Sequence, residues 1–142
     1  MSLNAKEIEL KIKEWVPMAE DIGLIVEEVK HAYARIRIPF HKKHIRPGGT
    51  ISGPVMMTAA DTAMYVAILG SLGEIAMAVT SNLNINFLKR PEQLDLIAEA
   101  SIIKLGKRIA FCEVGLRCEG SDELVAHVTG SYSLPPTIDT EK

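Results

Sequence analysis

Between Arg46 and Glu74 the chain carries a single formal charge, Asp61, in a run of glycines, prolines and small apolar residues. No other stretch constrains the fold as strongly. Ser52-Gly53-Pro54 reads as a helix start, because serine caps a helix well and proline fits the first turn, where its missing N–H costs nothing. The helix is predicted to run from Gly53 to about Leu72, with Gly70 and Gly73 near its end. Ala59, Ala60, Ala63 and Ala67 are strong helix formers. Apolar residues occupy every face, so other elements must wrap this helix on all sides. A carboxylate there is costly to desolvate and is normally paired or put to chemical use. Asp61, the threonines, Ser71 and Pro54 break the run, which leaves no unbroken apolar stretch of about 18 residues for a membrane span.

At 142 residues the chain has the size of one domain with room for a core. Hydrophobic residues at 47% and charged residues at 24% are ordinary for a soluble globular protein, and a net charge of -2 gives no general signal for nucleic acid. Met1-Ser-Leu-Asn-Ala-Lys6 leads into a charged stretch, so no secretory leader is expected. Cys112 and Cys118 fall in one expected strand, roughly 20 Å apart, which forbids a disulfide between them. Both read as free thiols of a reducing cytoplasm, and as small buried hydrophobes in preference to nucleophiles. Neither a membrane nor a nucleic acid is expected as a partner.

Asn4-Ala-Lys-Glu7 is a capping box, and Ile8, Ile12 and Trp15 follow at helical spacing. A short amphipathic helix is therefore expected before Pro17, covering an edge or end of the core. Gly23 to Val29 and His31 to Ile38 read as two strands joined tightly around Lys30. In the second, Ala32, Ala34, Ile36 and Ile38 alternate with His31, Tyr33, Arg35 and Arg37, one face in and one out. His41-Lys-Lys-His-Ile-Arg46 is either a solvated loop or an anion contact beside the site. After the long helix, Ile75 to Leu88 is the most strand-like run. Leu83, Ile85 and Phe87 should face the helix; Asn82, Asn84 and Asn86 on the other face point to a polar subunit interface or a substrate channel. Leu94 to Ile102, Ile109 to Cys118 and Leu124 to Tyr132 complete six strands. The four strands after the helix, joined by short turns, are predicted to form an antiparallel meander. One six-stranded sheet around one long helix is an α+β architecture. It spans residues 1–142 as a single domain, with a loosely ordered tail from Pro135. Any part of the helix that the sheet leaves bare favours a second subunit.

Ser-Gly-Pro-x4-Ala-Ala-Asp-Thr-Ala from Ser52, the run from Thr80 to Pro91 (Thr-Ser-Asn-Leu-Asn-Ile-Asn-Phe-Leu-Lys-Arg-Pro), and Gly106-Lys-Arg before a strand together resemble the hot-dog-fold acyl-CoA thioesterases of the PaaI-like (phenylacetyl-CoA) branch. The resemblance covers about Asp21 to Leu134. It implies a hot-dog fold, hydrolysis of an acyl-CoA thioester to free acid and CoA, no metal or cofactor beyond the coenzyme A of the substrate, and a homodimer or homotetramer. The family motif carries an Asn, then His-Gly-Gly, then an acid. Here Arg46, Ser52 and Pro54 replace the Asn, the His and the second Gly, while Gly53 and the acid Asp61 are kept. In the family, the helix N-terminus of one subunit faces the acid of its partner. By that resemblance the Gly53 amide polarises the thioester carbonyl, and Asp61 of the other chain acts as base toward water or as nucleophile. Helix geometry agrees independently. Gly53 and Asp61 lie about 12 Å apart along a helix, so one carbonyl cannot touch both.

Ser52 and Thr80 complete the catalytic set. Related enzymes often carry Ser or Thr near the acid, so Thr80 either orients Asp61 or water, or is a plain strand residue. A purely structural Asp61 would pair with Arg46 or accept a hydroxyl from Thr80. Coenzyme A carries several phosphates and needs cations at the mouth of its site. Lys89, Arg90, Lys107 and Arg108, at strand ends and turns, either meet them or are solvated surface charges. Arg46, Gly49 and Asn82 join the substrate-contacting set. Met64 and Tyr65, like Met56 and Met57, either line an acyl pocket or belong to the core. Two other readings stay open. The changes at Arg46 and Ser52 favour a non-catalytic acyl-CoA binding protein. A hot-dog dehydratase would need a His beside the acid, and His31, His41, His44 and His127 all lie outside the helix.

Overall fold

The computed structural model describes residues 4–46, 49–73 and 78–136, with only the backbone of Met18, His44, Ile45, Arg46 and Thr50. Of the tail expected from Pro135, residues 137–142 lie outside the described residues, as does the start of the strand expected from Ile75. Helix α1 (Ala5–Trp15) opens with the expected capping box: Asn4 Oδ1 accepts the Glu7 N–H at 2.8 Å, and Glu7 Oε1 accepts the Asn4 N–H at 3.0 Å. A short helix α2 (Pro17–Asp21), not foreseen from the sequence, follows. Ile8 and Ile12 are fully buried. Beside them the buried Glu9 accepts the N–H of Val26 at 2.8 Å. Val26 belongs to strand β1 (Ile25–Lys30), which lies at one edge of the sheet, so α1 covers that edge as expected and satisfies a donor there.

Strand β1 pairs antiparallel with β2 (Tyr33–Ile38). The turn falls at His31-Ala32, just past the expected Lys30. Ala32 has φ 61°, a left-handed backbone uncommon outside glycine. Ser71 Oγ accepts its N–H at 2.7 Å and ties the turn to the end of the long helix. A 3-10 turn (Lys42–His44) then leads into a separate two-stranded ribbon, β3 (Ile45–Arg46) and β4 (Thr50–Ile51), which the sequence did not announce.

Helix α3 runs from Gly53 to Leu72, as predicted. Ser52 caps it, its Oγ accepting the Val55 N–H at 3.4 Å, and the Gly73 N–H closes it on the Leu69 carbonyl at 2.8 Å. By length and composition α3 could cross a membrane, but 67% of its most apolar window is buried inside the fold, which marks it as a core helix. Every residue from Thr62 to Gly70 is buried, whereas the first half is buried on one side only, at Met56, Ala59 and Ala60. Pro54 and Met57 are exposed, and Thr58 and Asp61 are half-buried, which at spacings of three and four makes one bare stripe.

The main sheet has six antiparallel strands in the order β1-β2-β6-β7-β8-β5, with β5 (Val79–Phe87), β6 (Leu96–Leu105), β7 (Ile109–Cys118) and β8 (Leu124–Ser133). This corrects the four-strand meander: β6, β7 and β8 form one, while β5 pairs with β8 at the far edge. The cause lies in the connection from β5 to β6, which contains Pro91 and is no tight hairpin turn. Asp95, at its end, accepts from the Phe40 N–H at 2.8 Å and from Arg37 at 2.9 Å, which anchors β6 beside β2. The sheet curls over α3 and buries Ala34, Ile36, Ala98, Ala100, Val114 and Val128 against it. Cys112 and Cys118 are buried free thiols, and burial pushes the Cys112 thiol up to about 11.

Candidate active site

Asp61 stands on the third turn of α3, half-buried, on the bare stripe. Its Oδ1 accepts the Thr80 hydroxyl at 2.7 Å and the Tyr132 phenol at 2.7 Å. The same phenol lies 3.0 Å from the Asp61 carbonyl oxygen. Oδ2 has no donor among the described residues, and no ion pair reaches Asp61 there. The structural role weighed from the sequence, a bond to Thr80, is therefore real but occupies one oxygen.

The route by which Thr80 reaches Asp61 is a register effect. Strict alternation along β5 would put Thr80 on the face of Asn82, Asn84 and Asn86. A bulge between Thr80 and Asn82 makes Ser81 the extra residue and reverses the phase. Thr80 then pairs with Tyr132, Leu83 with Gly130 and Ile85 with Val128, and all three β8 partners are buried inward. Gly130 is what lets the bulge lie so close. A Cβ there would fall 2.9 Å from the Asn82 carbonyl oxygen and 2.9 Å from Met64 Cε.

Tyr132 is the site residue that the sequence reading missed. Its ring stacks on Tyr65, centroids 5.8 Å apart and planes within 7°. Burial above all, and then the Asp61 charge, push its phenol far above the ordinary tyrosine range, so it stays a proton donor. One signal was available. The inward positions of β8 are Ala126, Val128 and Gly130, so a tyrosine at the next one brings a hydroxyl that needs a partner.

The other expected residues fall into separate groups. Gly53 opens α3, and its N–H has no partner among the described residues; the position of a Cβ on it lies 3.4 Å from Phe87 Cζ. Ser52 serves as the helix cap. Gly49 has φ 80°, which suits glycine, and its carbonyl accepts from Gln93 Nε2 at 2.8 Å. The Arg46 side chain lies outside the described residues. Met64 is wholly buried core, and Tyr65 sits behind Tyr132. Asn82 is exposed on the face opposite Thr80. Lys89, paired with Glu123 at 2.7 Å, and Arg90 lie past the other end of β5, roughly 30 Å of extended chain from Thr80. Lys107 and Arg108 are at the Thr80 end of the sheet, since Ala110 pairs with Tyr132 and Tyr132 with Thr80. With Lys104, Gly106, Ile109 and Phe111 they line a surface groove of about 320 Å³. Among the described residues no cluster of His, Cys, Asp and Glu could hold a metal.

An antiparallel six-stranded sheet curled over one long helix is the hot-dog architecture, and this one carries an acid on the bare stripe of that helix. The family model of the thioesterase superfamily matches residues 48–125. A protein of Saccharolobus solfataricus, provisionally named an esterase, is 31% identical over 120 residues, 84% of this chain and 79% of its own length. A provisionally named thioesterase from a Silicibacter species superposes with a TM-score of 0.86 at 32% identity, covering 94% of this chain and 93% of that one. A mutant of the phenylacetic acid degradation protein PaaI from Thermus thermophilus does so with a TM-score of 0.75 at 25% identity, covering 84% and 99%. The chain belongs to the thioesterase superfamily, and membership supports thioester hydrolysis in general.

Proposed function

We propose that the protein hydrolyses acyl-CoA thioesters at a site shared by two copies of the chain. Asp61 of one copy acts on a carbonyl polarised by the Gly53 N–H of the other. The observation that carries this reading is the Asp61 carboxylate, the sole charge of α3, with one oxygen held by two hydroxyls and the other without a donor among the described residues. Such a group can take a proton from water as that water attacks the carbonyl carbon, or can attack the carbon itself. On either route the C–S bond breaks, the CoA sulfur leaves as thiolate and picks up a proton, and water ends in the carboxylic acid. A helix N-terminus whose first amide has no partner among the described residues suits the oxygen that gains charge.

Several observations support the second copy. Gly53 and Asp61 of one chain are about 12 Å apart along α3. The outer edge of β5 is unpaired in the sheet order, and Val79, Phe87, Leu88 and Met57 around it are large exposed apolar groups. Antiparallel pairing of two β5 strands about a two-fold axis brings the Phe87 end of one copy, with Gly53 beside it, toward the Thr80 end of the other. Lys89 and Arg90 of the second copy then approach from the same end, and Lys107 and Arg108 from within the chain, as cations for the CoA phosphates. The asparagine face of β5 is a polar surface on which two dimers could meet as a tetramer. Free buried thiols fit a reducing cytoplasm.

The test is a panel of short, medium, long and aryl acyl-CoA esters mixed with the purified protein while free thiol is followed. Thiol release with turnover supports the reading. Tight binding without release transfers it to the non-catalytic acyl-CoA binding protein, which the replacements at Arg46 and Ser52 favour.

A further inference from the structure

We propose that Tyr132 is a positioning residue for Asp61: together with Thr80 it holds Oδ1, so that Oδ2 alone meets water or substrate. This rests on the reading of Asp61 as the acting group. A carboxylate with no fixed donors presents either oxygen as it turns about its last bond. Two hydroxyls on different strands, each 2.7 Å from Oδ1, remove that freedom. The phenol is itself immobile. Its ring is buried and stacked on Tyr65, and its oxygen also lies 3.0 Å from the Asp61 carbonyl on the helix backbone. Around it Gly130 admits Met64 and the Ser81 bulge at closest approach, so β8, β5 and α3 are locked at this one level. Among the described residues the groups facing Asp61 are Thr80 and Tyr132, with Tyr65 behind, and no cation or second carboxylate pairs with it. A reacting group held this way keeps its attack geometry without rearranging at each turnover.

The test compares parent, Tyr132→Phe, Thr80→Val and the double variant by kcat and KM across pH, using an acyl-CoA that the parent hydrolyses. Tyr132→Phe removes one oxygen and keeps the stacked ring. A hydrogen bond donated to a carboxylate favours its charged form, so losing one moves the acid limb of the kcat profile upward. The expected shift is about one pH unit, with kcat down about tenfold, since a bond to a charged group is worth roughly that factor or more. KM should stay within twofold. Thr80→Val should shift the limb in the same direction, and the double variant further. An acid limb that Tyr132→Phe leaves in place, or a change in KM alone, would reduce Tyr132 to packing. Should Tyr132→Phe fail to fold, 3-fluorotyrosine at position 132, a stronger donor of the same shape, must move the limb downward; an unmoved limb overturns the proposal. Asp61→Asn in the same assay separates the two levels. If it turns over like the parent, the reading of Asp61 falls and the role of Tyr132 with it. If it is inactive while Tyr132→Phe is unchanged, only the positioning role falls.

Discussion

Replacing Gly53 by proline removes one hydrogen-bond donor from the candidate site and adds a side chain ahead of Pro54. The Gly53 N–H makes no bond within the described fold, so none is lost. The Ser52 cap survives, because its bonds run from the N–H groups of Val55 and Met56. Ser52 is extended, φ -71° and ψ 150°, the conformation that a following proline accepts. A Cβ at position 53 meets Phe87 Cζ at 3.4 Å, an ordinary contact. Gly53 also sits in helical conformation before Pro54, a pairing that any Cβ crowds. Gly53→Ala pays that same cost while keeping the N–H, so the difference between the two variants isolates the donor. Loss of one oxyanion donor costs about 3–4 kcal/mol, a fall of roughly a hundredfold to a thousandfold in kcat. The assay is thiol release at saturating acyl-CoA for both variants, beside melting temperature and light scattering. A folded, dimeric proline variant with the turnover of the alanine variant would refute the role of Gly53.

Three further outcomes follow from the packing. Gly130→Ala places a Cβ 2.9 Å from a backbone oxygen of the β5 bulge, and should cost about 1–3 kcal/mol in urea unfolding together with activity, as Thr80 moves; parent-like stability would show that the bulge has slack. Glu9→Ala leaves the Val26 N–H of the edge strand without its buried acceptor and should cost about 1–3 kcal/mol, whereas Glu9→Gln, which keeps an acceptor, should cost less in the same melts. Light scattering at micromolar concentration should show a dimer or larger, and a fully active monomer would contradict the shared site.

Local chemistry was legible in the sequence and long-range pairing was not. The Ser52 cap, the helix to Leu72 and the Asn4–Glu7 capping box depend on neighbours a few residues apart, and the structure has them where they were expected. The position of β5 at the sheet edge depends on Asp95 binding the end of β2, a contact across more than fifty residues. The alternation of β5 read correctly for the asparagines, and Leu83 and Ile85 do pack on the core. Phe87, expected to face the helix, is 53% exposed, because there the strand reaches the first turn of α3 and its uncovered side. The sequence leaves Thr80 either beside the acid or a plain strand residue, and plain alternation turns it outward; the bulge that brings it to Asp61 shows in the register alone. Tyr132 joins the site only when β8 lies beside β5, seventy-one residues of chain beyond Asp61.

The most direct test of the account is thioester hydrolysis by Asp61→Asn beside its melting temperature. Asparagine keeps the size of the side chain and an oxygen that accepts from Thr80 and Tyr132, but it is neither base nor nucleophile. Folding and self-association should therefore persist, with a melting temperature at or above that of the parent. Turnover should fall roughly a hundredfold or more, the usual contribution of a general base. Hydrolysis at the parent rate would remove Asp61 from the reaction, and lost activity with a collapsed melting temperature would make it a structural residue; either result contradicts the account.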